Sequence, residues 1–77
     1  MSIKVKYFGS LKQWVGRSED EINFTVSISV KEAWMQVNGQ KPMPVNTLSS
    51  VNFDYVEPDY KLNDGDELAF FPPVTGG

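Results

Sequence analysis

Apolar and charged residues alternate through Ile3-Lys4-Val5-Lys6-Tyr7, the period-two mark of a strand with one buried face, and Gly9 breaks the pattern. Ser10-Leu11-Lys12-Gln13 reads as a capping box. Behind it Leu11, Trp14 and Val15, at i, i+3 and i+4, predict a short helix that buries one stripe before Gly16 stops it. The acidic turn Glu19-Asp20-Glu21 leads into a second alternation. Ile22, Phe24, Val26 and Ile28 mark a strand antiparallel to the first. Ser29-Val30-Lys31-Glu32 is a second capping box. Val30, Ala33, Trp34 and Val37 then fall on one face of a helix of two to three turns, ended by Asn38-Gly39.

Residues 40–47 contain Pro42 and Pro44 and read as an irregular connection. Val51, Phe53 and Tyr55 alternate as a third strand, and Glu57-Pro58-Asp59 is a turn. Leu62 is expected to plug the core from a loop, and Asp64-Gly65 supplies the positive φ of a tight turn. Leu68 to Phe71 is apolar on both faces, as for a strand inside a sheet, and Pro72-Pro73 ends it. The order β-(short α)-β-α-β-β predicts an α+β fold: a mixed sheet of four to five strands with one main helix across one face. Ile3, Val5, Phe24, Val26, Trp34, Val37, Leu68 and Phe70 are the expected core, in a domain spanning 1–73 with a flexible tail at 74–77.

Composition narrows the chemistry. The 77 residues contain no cysteine and no histidine, which leaves no disulfide, thiol nucleophile, imidazole base or zinc-finger ligand set, and no metal site is expected. Seven Lys and Arg against ten Asp and Glu give a net charge of -3, a poor balance for gripping phosphates, so nucleic acid is not an expected partner. No apolar run reaches the roughly 18 residues of a membrane span, and no signal-like segment opens the chain, so neither a membrane nor an export route is expected and the cytoplasm is. Charge is unevenly placed. Residues 1–17 carry Lys4, Lys6, Lys12 and Arg17 without an acid, while residues 54–67 carry six acids against Lys61. Either the two halves pair across the sheet, or the acidic half steers a basic partner.

The remaining feature is Val74-Thr75-Gly76-Gly77. A glycine-rich end is also what a frayed terminus looks like. Three facts favour more. Glycines lack Cβ atoms and can thread a channel too narrow for other residues. The preceding Pro-Pro stiffens the exit, so four residues project roughly 13 Å at full extension. Nothing else in the chain offers a nucleophile, metal cluster or phosphate loop, which leaves the Gly77 α-carboxylate as the candidate reacting group. A carboxylate is inert to acyl transfer until activated, for instance as a mixed anhydride with AMP, by a separate ATP-using enzyme.

Asp64-Gly65-Asp66-Glu67-Leu68-Ala69-Phe70-Phe71-Pro72-Pro73-Val74-Thr75-Gly76-Gly77 resembles the C-terminal signature of the molybdopterin synthase small-subunit (MoaD) family. Ile3 to Phe8, Val51-Asn52 and Lys61-Leu62 are similar to further stretches of that family. The resemblance implies the β-grasp fold of ubiquitin and the role of a sulfur carrier. On that reading a MoeB-like enzyme adenylates Gly77 using ATP and Mg²⁺, so the chain itself holds no cofactor stably. A sulfur relay converts the adenylate to a thiocarboxylate. Gly76, Thr75 and Val74 thread into a MoaE-like large subunit, where sulfur passes to cyclic pyranopterin monophosphate within a heterotetramer. Phe71, Pro72 and Pro73 are then the expected partner-binding residues, with Phe8 and Tyr7 as an extension of their patch. Alternatives are a ThiS-like carrier of thiamine synthesis, a ubiquitin-like protein modifier, and a binding domain whose tail is idle.

Overall fold

The computed structural model describes residues 1–39 and 41–73; the expected tail residues Val74, Thr75, Gly76 and Gly77 lie outside the described residues. The chain runs β1 (Ser2–Tyr7), α1 (Ser10–Val15), β2 (Glu19–Asn23), α2 (Val30–Asn38), β3 (Leu48–Val51), β4 (Asp54–Val56) and β5 (Glu67–Phe71). The sheet order is β2-β1-β5-β3-β4, with β1 and β5 parallel at the centre and the other pairs antiparallel. One mixed five-stranded sheet, its helices on one face, is the β-grasp arrangement.

Alternation builds the two layers. Ile3, Val5 and Tyr7 of β1 and Leu68 and Phe70 of β5 turn inward and are buried with Trp34 of α2. Trp34 meets Phe70 edge-on at 5.0 Å between ring centroids and Tyr7 at 6.1 Å, while its Nε1 donates to the Lys41 carbonyl at 2.8 Å. The second capping box forms as expected. The Glu32 amide donates to Ser29 Oγ at 3.1 Å and the Ser29 amide to Glu32 Oε1 at 2.8 Å, a bond that holds the Glu32 carboxyl below its ordinary range. Leu62 plugs the core from its loop, and Gly65 takes φ +84°.

Four expectations are corrected. Ser10 is not a cap: Gly9 occupies that place, and the Leu11 and Lys12 amides bond to the Phe8 and Gly9 carbonyls, leaving the Ser10 hydroxyl no role there. Trp14 stands outside the buried stripe of Leu11 and Val15, its ring covered by the Lys41 ammonium at 4.7 Å. The second strand starts at Glu19 and ends at Asn23. The backbone then bends, so Phe24 reaches the core from irregular chain while Val26 turns out, 73% exposed. Finally, Val51, Phe53 and Tyr55 do not share a strand. Asn52 and Phe53 both take positive φ and fold the segment into the β3–β4 hairpin, with Val51 opposite Asp54.

The basic and acidic halves do meet across the sheet. Lys4 and Glu67 are register partners, Lys6 Nζ lies 3.3 Å from Glu67 Oε1, and the Ser2 amide donates to Asp64 Oδ1 at 2.8 Å.

One polar cluster ties the sheet to the end of α2. The Tyr7 hydroxyl donates to Asp20 Oδ2 at 2.9 Å and accepts from Asn38 Nδ2 at 3.2 Å. Arg17 grips the Asp20 carboxylate through Nε, while its Nη2 caps α2 at the Val37 carbonyl and the Asn38 side chain. Burial pushes the Tyr7 phenol up to about 12; the Asn38 donor opposes the shift and the Asp20 acceptor adds to it. The unfolded chain releases that proton near the ordinary value of 10.0. Tyr7 therefore contributes stability that is intact below that pH and is lost as pH climbs towards the folded-state value. Denaturant titrations between neutral pH and pH ~12 are expected to show this loss, and Tyr7→Phe is expected to flatten it. An unchanged slope in that variant would refute the assignment.

Candidate functional site

The last strand is anchored at its start and open at its end. Asn52, at φ +51° in the hairpin turn, accepts from the Glu67 amide through Oδ1 at 3.0 Å and donates through Nδ2 to Asp66 Oδ1 at 3.0 Å. Asp66 Oδ2 accepts from the Asn63 amide at 2.8 Å. These bonds make Val51-Asn52 and the Asp64-Gly65-Asp66-Glu67 turn one clamp, which fixes the register of β5 and hence how far the chain beyond it projects. Asn52→Ala removes both side-chain bonds and places an L-residue without an amide at positive φ. We expect a loss of about 1–3 kcal/mol in denaturant unfolding, with Asn52→Asp retaining part of it.

From the clamp, β5 alternates. Phe70 points inward and is fully buried, whereas Phe71 faces the side of the sheet away from the helices. Parallel pairing with β1 puts Phe71 beside the residue that follows β1, and the two rings stack: Phe8 and Phe71 lie 4.9 Å apart and 8° from coplanar. Tyr55 of β4 meets Phe71 edge-on at 6.2 Å. Phe8 and Tyr55 are exposed at 41% and 70%. Pro72 lies against Gly9, where an added Cβ would stand 3.0 Å from Pro72 Cγ; Pro73, the last described residue, is exposed. The chain thus leaves the domain through an aromatic seat on a solvent-facing surface, a form suited to docking against protein.

Of the expected site residues, Phe71, Pro72 and Phe8 come together here, with Pro73 at the exit. Tyr7 does not extend the patch. It is buried, its hydroxyl committed to Asp20. Tyr55 joins without having been foreseen, because its place depends on the hairpin register that sets it opposite Ser50, which spacing along the chain does not reveal. Val74, Thr75, Gly76 and Gly77 lie outside the described residues. Among those described, no group of three or more acidic, histidine or cysteine side chains could hold a metal ion, and no helix is long and apolar enough to cross a membrane.

Comparisons with known proteins agree along the whole chain. The model of the ThiS family matches residues 5–77. The molybdopterin synthase sulfur carrier subunit of Escherichia coli is 34% identical over 80 residues, covering 97% of this chain and 99% of the relative. Among solved structures, a putative molybdopterin converting factor subunit 1 from Pyrococcus furiosus superposes with a TM-score of 0.78 at 28% identity, over 96% of this chain and 99% of that one. Subunit 1 in a complex of subunits 1 and 2 of the molybdopterin-converting factor of Helicobacter pylori gives 0.67 at 25% identity, over all of both chains. Matched from β1 to its last residue, and with a relative this similar over nearly its full length, the chain belongs to the ThiS family.

Proposed function

We propose that this chain is the sulfur-carrier subunit of a molybdopterin synthase, inactive alone and charged at the Gly77 carboxylate. The observation that carries the reading is the exit of β5: an exposed Phe8–Phe71–Tyr55 seat roots a segment ending in Gly76-Gly77. The naming of its relatives supports the same role. In the first step the Gly77 carboxylate oxygen attacks the α-phosphorus of ATP on a MoeB-like adenylating enzyme, with Mg²⁺ bound to the nucleotide; pyrophosphate leaves and a glycyl adenylate remains. A sulfide-level sulfur nucleophile then attacks the acyl carbon and AMP leaves, giving the thiocarboxylate.

A thiocarboxylate is anionic and polarisable near neutral pH, so the carrier needs no histidine or cysteine of its own. Within a MoaE-like large subunit its sulfur attacks a carbon of cyclic pyranopterin monophosphate that bears oxygen, and the carbon–oxygen bond there breaks, the oxygen leaving on phosphate or as water. Hydrolysis at the acyl carbon then leaves sulfur on the product and returns the Gly77 carboxylate. Val74 to Gly77 reach at most roughly 13 Å past Pro73 at full extension, so a protein that encloses Gly77 comes within reach of Phe71, Pro72 and Pro73. The pairing of subunit 1 with subunit 2 in the named Helicobacter pylori complex supports such a partner, and two carriers on a large-subunit dimer would form a heterotetramer.

The test is intact-mass analysis after incubation with an adenylating enzyme, ATP, Mg²⁺ and a sulfur donor. Sulfur-for-oxygen exchange confined to the C-terminal peptide is the expected result, and an unaltered mass would overturn the reading. The family match also accommodates a carrier for thiamine synthesis. Offering the charged chain either cyclic pyranopterin monophosphate with a large subunit or a thiazole synthase separates the two. Transfer in the first reaction alone is expected.

A further inference from the structure

A two-residue hairpin loop with positive φ at both positions is the pattern that favours Asn-Gly. Here the β3–β4 loop carries Asn52 at φ +51° and Phe53 at φ +74°. Asn52 suits its place and uses its side chain in the clamp on β5. Phe53 does not suit its own. A bulky L-residue at that φ crowds its Cβ against the following peptide, and glycine would avoid the strain. Nor does the ring recover the cost by burial, since Phe53 is 89% exposed, the most exposed large hydrophobic residue among those described. It has no aromatic partner, unlike Phe8, Tyr55 and Phe71. The folded chain alone gives Phe53 no reason to be phenylalanine.

Its position supplies one. The hairpin tip lies at the end of β3 away from Leu48, and Leu48 is the register partner of Phe71. Four residues of strand therefore separate the tip from the seat, roughly 10–14 Å. Tyr55 stands between them, one residue past Asp54, opposite Ser50. A standard interface of about 800 Å² per partner is roughly 30 Å across, so a protein centred on the seat reaches the tip. We infer that Phe53 is an interface anchor, kept at a strained turn so that the subunit receiving the tail closes on it as well as on Phe71. The inference rests on the function proposed above. It commits to the large subunit as occupant, because exposed Phe53 lies two residues from exposed Tyr55, whose ring meets Phe71 in the seat proposed for that subunit. The partner pocket it fits is apolar and large enough for one aromatic ring.

Strain and binding give opposite signs in one variant, which makes the inference testable. Phe53→Gly is expected to raise the thermal midpoint by several degrees while weakening the complex with a purified large subunit about tenfold by calorimetry. Phe53→Tyr keeps a ring and is expected to bind like wild type, at an unraised midpoint. Undiminished binding by Phe53→Gly overturns the inference even where its midpoint rises, and a lowered midpoint overturns the strain on which it stands. Failure of the wild-type chain to bind the large subunit would overturn the proposed function itself. Wild-type binding that Phe53→Gly leaves untouched would sink only the anchor.

Discussion

Deletion of Gly77 is expected to abolish thiocarboxylate formation completely while leaving the thermal midpoint where it was. The described strand pairing ends with Phe71 and the buried core with Phe70, and Pro73 is already exposed, so truncation removes no described contact of the fold. On the proposed function, what it removes is a reacting group placed by length. By the same proposal an activating enzyme meets an acyl carbon with no side chain beside it, and a shortened tail presents that carbon roughly 3.5 Å short. Adding one residue after Gly77 displaces it by the same distance outward and is expected to be equally inactive. Intact-mass analysis and a melting curve on the same samples check both halves. Residual charging of the truncated chain, or a midpoint lowered by several degrees, would show that the end does another job.

The second large effect separates two neighbours. Phe70→Ala opens a cavity beneath Trp34 and Tyr7 and is expected to cost about 3–5 kcal/mol. A chain of this length holds only about 4–12 kcal/mol, so the variant is expected to be largely unfolded or to melt far below wild type. Phe71→Ala, one residue on, faces solvent and loses chiefly its stack on Phe8, about 1 kcal/mol. It is expected to fold yet bind the large subunit at least about tenfold more weakly. Circular-dichroism melts and binding isotherms for the two variants form a crossed pair. Equal stability losses in both would mean that β5 is not two-sided.

How far the sequence could be read follows from where its signals are local. Ile3 to Tyr7, Ser29 to Asn38 and Leu68 to Phe71 announce themselves by period and capping, and they became β1, α2 and β5. Asn52-Phe53 did not, because a phenylalanine at positive φ defeats the expectation of glycine in a tight turn, and Val51, Phe53 and Tyr55 then mimic a single strand. Ser49 and Ser50 hid β3 for the opposite reason: they are polar yet buried between β4 and β5. Phe71 and Pro72 were legible as candidates from their place beside the tail, and Phe8 from the expectation that its strand neighbours theirs; the sheet brings the three together. Tyr55 was not, since only the sheet brings it there.

The pairing at the middle of the sheet has a bearing on how the molecule is made. Its central strand, β5, is the last of the five to be synthesised and pairs with the first, so the sheet cannot close until β5 has left the exit tunnel. A fragment lacking β5 leaves Ile3, Val5 and Tyr7 without Leu68 and Phe70 beside them and is expected not to fold. Folding therefore depends on the same strand that roots the tail.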